Sequence, residues 1–272
     1  MMIRRIIGMV VMLGAVCSAM GAESQAWKPR LALQLYTFRS MTFVDAVKTA
    51  QKLGFEYIEA YPGQKLGEGF DGASDFSMPV QTRAKVKAFL AEQKIKLVNY
   101  GVVGASGEEG WKKLFEFAKD MGIEILQVES GKDSKTLDLL NRLSGETGIK
   151  VALHNHTQPA GFPDAMLEQL KGRSNLGAGP DVGHWKRAKI PVVEAIGKLD
   201  GRITTIHLVD VDQSGRDVAY GTGITDVKGV LDELKRQKFN GVVTCEYHQV
   251  SRPLEMVIGE CVKWYNAYFQ AL

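Results

Sequence analysis

Residues 134–156 read SKTLDLLNRLSGETGIKVALHNH and contain one complete helix–strand unit. Apolar residues recur at helical spacing through Ser134–Thr147, and Gly148 suits the left-handed conformation that ends a helix. The run that begins at Ile149 is apolar on both faces, which is typical of a strand buried in a parallel sheet. The stretch therefore predicts a helix that packs on a parallel sheet and leads directly into the next strand.

The same alternation recurs along the chain, and local signals support it. Thr42 and Asp45 form an approximate capping box, and Pro191 and Pro253 suit the first turn of a helix. Strand-like runs begin near Leu31, Phe55, Ile95, Ile123, Ile149, Leu176, Ile203 and Gly241. Amphipathic stretches cover Thr42–Leu53, Pro79–Gln93, Glu108–Met121, Ser134–Thr147, Pro163–Lys171, Ile190–Leu199, Thr225–Gln237 and Pro253 to the C-terminus. Eight such units in about 250 residues predict a single-domain α/β fold, the (β/α)8 TIM barrel.

The first 22 residues have the pattern of an export signal. Arg4 and Arg5 precede an apolar run from Ile6 to Val16, and small residues follow up to Ala22. We therefore expect a signal peptide over 1–22, a barrel domain over 23–272, and a periplasmic or secreted protein with no stable membrane insertion after cleavage. An uncleaved anchor, or a lipoprotein attached through Cys17, is the alternative.

Charge and cysteine content exclude some classes of protein. The formal net charge of the chain is +3, and cleavage would remove Arg4 and Arg5, so no electrostatic footprint for nucleic acid remains. Only Cys245 and Cys261 follow the predicted leader, which is too few for a disulfide framework. We expect both thiols to be buried, with Cys245 facing a helix.

Polar side chains collect at the C-terminal ends of the predicted strands, on the face that alternation turns inward. Charged residues are seldom buried unless they are paired or bind a metal, so strand-end carboxylates and imidazoles predict a divalent-metal site. Together these ligands suit Mn, Zn, Fe or Co better than Ca. Ion pairs or solvated strand ends are the alternative. The inward-facing residues are Tyr36, Glu59, Glu129, His154, His156, Asp181, His207 and Glu246.

With this order of strand-end residues the chain resembles the xylose isomerase-like TIM barrel superfamily, which includes sugar epimerases and isomerases, inosose dehydratase and endonuclease IV. The segments that carry the resemblance are Leu33–Arg39, Gly54–Glu59, Val151–His156, Asp181–His184, His207–Asp210, Tyr220–Gly223 and Cys245–Tyr247. In the ketose epimerases a metal is held by Glu, Asp, His and Glu from strands 5 to 8. The last three match Asp181, His207 and Glu246, whereas strand 5 offers His154.

The resemblance thus implies Asp181, His207 and Glu246 as metal ligands. For the fourth ligand we expect Glu129, because a third carboxylate would suit a hard divalent ion, with His154 as the alternative. It makes His184 and Arg216 candidates for substrate contact, to which we add the inward-facing Tyr36 and Glu59. We expect one divalent ion (Mn, Zn, Co or Mg) and a small-molecule sugar or glycoside as the ligand. Homo-oligomerisation is compatible with this reading.

The leading functional prediction is a metal-dependent sugar isomerase or epimerase that removes a proton next to a carbonyl. Glu246 and a strand 5 histidine, His154 or His156, are the predicted acid–base groups. A lyase or dehydratase on oxidised sugars or keto-glycosides is the runner-up, because the epimerase glutamate of strand 5 is missing. A non-catalytic sugar-binding barrel is the third possibility. A nuclease is disfavoured, because none of the five histidines precedes residue 154.

Overall fold

A computed structural model describes residues 27–271 and contains an eight-stranded parallel barrel. Around the sheet the strands follow the order β6-β5-β4-β3-β2-β1-β8-β7. The strands are β1 Arg30–Gln34, β2 Tyr57–Ala60, β3 Lys96–Tyr100, β4 Ile125–Glu129, β5 Lys150–His154, β6 Leu176–Gly179, β7 Thr205–Leu208 and β8 Val242–Cys245. The predicted eight strands are confirmed.

The seam between β6 and β7 is the least regular part of the barrel. These two strands are joined by the isolated bridges Ala178–Ile203 and Asp181–His207 rather than by a continuous ladder. The Thr204 amide donates to the Ala178 carbonyl at 2.8 Å, and the His207 amide donates to the Pro180 carbonyl at 2.8 Å. These bonds close the barrel next to the strand ends from which Asp181 and His207 project.

The helices lie where the amphipathic stretches predict them, with one addition. They are α1 Phe43–Lys52, α2 Val80–Glu92, α3 Gly107–Met121, α4 Ser134–Thr147, α5 Pro163–Leu170, α6 Val182–Arg187, α7 Val192–Lys198, α8 Val227–Arg236 and α9 Leu254–Gln270. The short helix α6 was not predicted. It begins directly after Asp181, whose side chain accepts a hydrogen bond from the His184 amide and caps it.

The predicted helix ends are borne out in most details. The Thr42 side chain accepts from the Asp45 amide, and Gly148 ends α4 in the left-handed conformation. Pro191 and Pro253 stand one position earlier than expected, at the residue that precedes the first turn. The difference has little energetic consequence, because neither position needs an amide donor for the helix.

The barrel has two apolar regions, one inside the sheet and one between the sheet and the helices. A small cluster fills the lower barrel interior, and a much larger core lies between the strands and the helices. Cys245 and Cys261 are buried, unbridged thiols of this outer core, as expected for a Cys245 that faces a helix. The small inner cluster consists of Ala32, Val98, Ile125, Ala152 and Val242.

The predicted leader, residues 1–22, lies outside the described residues. Between residues 27 and 271, no helix is both long enough and apolar enough to cross a membrane.

Candidate active site

A cavity of about 700 Å³ opens at the C-terminal end of the barrel. All five histidines of the chain line it, together with Glu246. This is the end of a parallel barrel at which strand-to-helix loops build active sites. Of the eight strand-end residues predicted to face inward, five line this one cavity: Tyr36, His154, His156, His207 and Glu246.

Four side chains meet on the cavity floor. Ligand atoms of His154, Asp181 and His207 all lie within 4.8 Å of one another, and all three residues are buried. Glu246 Oε2 lies 2.6 Å from His207 Nδ1, and Asp181 Oδ2 lies 3.9 Å from the same nitrogen. The strands β5 to β8 and their ends thus supply two imidazoles and two carboxylates, a donor set that suits a transition-metal ion.

The two imidazoles turn one nitrogen toward the protein and the other toward the common centre. His154 Nδ1 lies 3.2 Å from the Gly179 carbonyl, and His207 Nε2 lies 3.1 Å from Glu59 Oε2. His207 Nδ1 is buried and, although Glu246 Oε2 lies close to it, makes no hydrogen bond of good geometry. Metal-binding histidines are typically held in this way, with the second nitrogen bonded to a carbonyl or carboxylate. The residues present therefore fit a divalent cation.

The charges of the cluster are consistent with that fit. Burial lowers the pKa of His154 well below its usual value, and His207 and His156 lower it further, so its imidazole is neutral, as metal binding requires. Burial also acts to lower the pKa of His207, but Glu59 and Glu246 outweigh it and hold that pKa well above the ordinary range. The surroundings of His207 therefore favour a positive charge at this point, which a proton or a metal ion can supply.

Glu246 is held ionised at the centre of the site. Burial alone would raise its pKa, but His207 and His248 outweigh that effect and keep the pKa well below its usual value. His248 Nε2 lies 3.1 Å from Glu246 Oε1, while Oε2 faces His207. The carboxylate is therefore fixed from both sides. His248 was not singled out from the sequence, although it follows Glu246 by two residues and alternation places both on one face.

Glu129, the preferred fourth ligand, is not brought to this centre. Its carboxylate contacts His156 Nδ1 in a very short hydrogen bond at the edge of the cavity. His154, the alternative, joins Asp181 and His207 instead. His156 itself lines the cavity, and its ring centre lies 4.9 Å from that of His154. The geometry thus separates the two strand 5 histidines into one at the centre and one on the wall.

The four residues predicted to contact substrate occupy three different places. Tyr36 and His184 line the cavity, and Tyr36 is 39% exposed. Glu59 is fully buried beneath His207 and does not line the cavity. Arg216 is exposed in the turn between the paired segments Asp210–Val211 and Asp217–Val218, away from the cavity lining.

Other residues, which sequence reasoning missed, complete the wall of the cavity. Arg187 of α6 enters the lining and is held by the Gly215 carbonyl and the buried Asp217. Tyr61 packs edge-on against Tyr36 with ring centres 4.9 Å apart, and the Arg39 guanidinium lies 5.2 Å from the Tyr36 ring centre. For Arg39 and Tyr61 the available signal was their position after the first two strands, since the loops after the strands form this face of a barrel.

The sequence and the (β/α)8 barrel of this chain are matched by known proteins. The family model of the xylose isomerase-like TIM barrel matches residues 47–268, and the chain belongs to this family. None of the curated proteins matches the chain significantly in sequence.

Solved structures extend the likeness. An uncharacterised protein from Parabacteroides distasonis is 32% identical, with a TM-score of 0.73 over 88% of this chain and 98% of that one. D-allulose 3-epimerase from Methylomonas sp. shares the fold at 15% identity, with a TM-score of 0.69 over 89% and 98% of the two chains. The 3-keto-D-glucoside 4-epimerase from E. coli does so at 14% identity, with a TM-score of 0.69 over 88% and 100%.

Proposed function

We propose that the protein is a divalent-metal-dependent sugar isomerase or epimerase. The observation that carries the proposal is the convergence of His154, Asp181, His207 and Glu246 around the unpartnered His207 Nδ1. Family membership and the shared fold of two sugar epimerases support it. The predicted leader suggests that the enzyme acts in the periplasm or outside the cell.

The side chains around the cluster have the chemistry for proton transfer beside a carbonyl. A divalent ion held by the four ligands would stabilise negative charge that develops on substrate oxygen atoms. Glu246, ionised and fixed between His207 and His248, is the base that removes the proton. Tyr36 and Tyr61 offer ring surfaces for the apolar face of a sugar.

His156 is the second acid–base group in this proposal, since it lines the cavity without belonging to the ligand cluster. An acid–base group on another wall of the cavity could return the proton after Glu246 has removed one, which yields an isomer or an epimer. The same group could instead assist a leaving group. That outcome defines the second candidate, a lyase or dehydratase on oxidised sugars or keto-glycosides, which the histidine at the strand 5 ligand position favours.

A screen in deuterated water tests the proposal. Free sugars, keto sugars and glycosides are incubated with the protein and Mn, Co, Zn or Mg, and the products are followed by NMR. We expect solvent deuterium at one carbon next to a carbonyl, in a product isomeric with the substrate. Release of water or an alcohol would support the second candidate. Sugar binding without exchange would contradict an enzyme and indicate a binding protein.

Replacing the two strand 5 histidines separately should distinguish their roles. The variant His156→Gln should lose about 100-fold or more in turnover, because it loses a proton-transfer group, and should keep its metal. The variant His154→Gln should lose metal as well, since His154 belongs to the central cluster. Turnover and elemental analysis of both variants check this. Wild-type turnover in His156→Gln would contradict a second base at that position.

A further inference from the structure

Glu59 of β2 lies directly beneath the proposed metal site and is fully buried. In the part of the chain that the structure describes, no lysine or arginine pairs with it, and the only ion-pair partner within 4 Å is His207. Its two oxygens instead accept hydrogen bonds from five side chains: Gln34 at 2.8 Å, Gln127 at 2.6 Å, Asn99 at 3.2 Å, Thr244 at 3.1 Å and His207 at 3.1 Å. These partners come from five other strands of the barrel.

A buried carboxylate is costly, even when hydrogen bonds compensate part of the cost. A glutamine of the same size would turn an amide donor toward some of these five donors, so the position requires an acceptor at both oxygens. The one ionisable partner of Glu59 is His207, and the contact is made through Nε2, the ring nitrogen that faces away from the ligand cluster. The carboxylate therefore acts on the side of the ring opposite to the proposed metal.

A His207 that binds a metal ion is neutral, and its surroundings then decide between its two tautomers. In one, Nε2–H donates to Glu59 and Nδ1 carries the lone pair. In the other, Nε2 accepts from Gln127 Nε2, which lies 2.5 Å away, and Nδ1 carries the proton. Although Glu246 Oε2 is 2.6 Å from Nδ1, no acceptor lies in a direction that would satisfy an Nδ1–H donor. The first tautomer is favoured because the Glu59 carboxylate can only accept, whereas Gln127 Nε2 already donates to Glu59 Oε1 at 2.6 Å and does not depend on His207 as an acceptor.

We infer that Glu59 is a positioning residue that holds the proton of His207 on Nε2 and thereby directs the Nδ1 lone pair at the metal. The inference rests on the metal site of the proposed function. Carboxylates that bond to a ligating histidine fix its ring and increase its basicity, and their loss typically lowers metal affinity about 10- to 100-fold. Glu59 would therefore tune metal binding without touching metal or substrate.

The test compares Glu59→Gln with Thr244→Val in the full chain. Thr244→Val removes one donor to Glu59, whereas Glu59→Gln replaces one acceptor oxygen of the same buried network by an amide donor, and only Glu59→Gln changes the carboxylate that contacts His207. Calorimetric titration of metal-stripped protein with Zn or Mn should give a dissociation constant about 10- to 100-fold weaker for Glu59→Gln. It should stay close to the wild-type value for Thr244→Val. An equal loss in both variants, or no loss in Glu59→Gln, would overturn the inference.

A second measurement needs no variant and holds even if Glu59→Gln fails to fold. Long-range ¹H–¹⁵N NMR of the histidine rings in the zinc-loaded wild-type protein reports which nitrogen of His207 carries the proton. A proton on Nε2 is expected, and a proton on Nδ1 would overturn the inference. Wild-type protein that binds none of the ions would overturn the proposed metal site too, so a failure of the proposed function is distinguishable from a failure of Glu59 alone.

Discussion

Replacing Asp181 with Ala should remove bound metal and, with it, turnover. Asp181 Oδ2 belongs to the ligand cluster, while its Oδ1 accepts the amide of His184 at 2.8 Å and caps α6. The variant therefore loses a ligand and a helix cap, and the cap alone is worth about 1 kcal/mol of stability. Elemental analysis of purified protein should give a metal content well below that of the wild type.

Two controls separate the ligand from the cap. Asp181→Asn keeps a good capping side chain but loses the charge, so it should bind metal poorly while unfolding near the wild-type temperature. Asp133→Ala removes the equivalent cap from α4, whose Asp133 accepts the Thr136 amide, and should destabilise the protein without changing its metal content. Full metal content in Asp181→Ala would show that the cluster is not the metal site.

Replacing Glu246 with Gln should slow proton exchange about 100- to 10,000-fold, the range that general acid–base groups contribute. Glutamine keeps an oxygen near the cluster but cannot take up a proton. Because Glu246 is also a ligand of the proposed metal site, the rate of deuterium incorporation is measured by NMR at saturating metal, with metal content determined on the same sample. A lower rate in protein that retains its metal identifies the base, whereas an unchanged rate would remove Glu246 from the reaction.

The barrel could be predicted because each of its units repeats a strong local signal. Apolar strands follow amphipathic helices, and Gly148 ends α4 in the left-handed conformation as expected, as Gly122 does for α3. Helix α6 escaped notice because six residues are too short to show helical periodicity. Asp181 was predicted as a metal ligand, but it also caps this helix.

Strand alternation predicted which side chains face inward, but not how far up the barrel each one acts. Gln127 and Glu129 share the inward face of β4, yet Gln127 reaches Glu59 below the site and Glu129 turns to His156 at the rim. The level and direction of a side chain depend on its neighbours from other strands. For this reason the structure places His154 at the centre, where Glu129 was predicted, and Arg187 in the cavity lining, where Arg216 was predicted.

The ligand cluster lies at the irregular seam between β6 and β7, so metal binding there would affect the stability of the barrel. Asp181 and His207 stand on opposite sides of the junction that is joined by isolated bridges, and His154 and Glu246 come from the strands that flank it. A cation bound by all four residues would connect β5 and β6 to β7 and β8 across this irregular junction. Opening of the barrel at this junction would separate the ligands, so bound metal would stabilise the closed barrel.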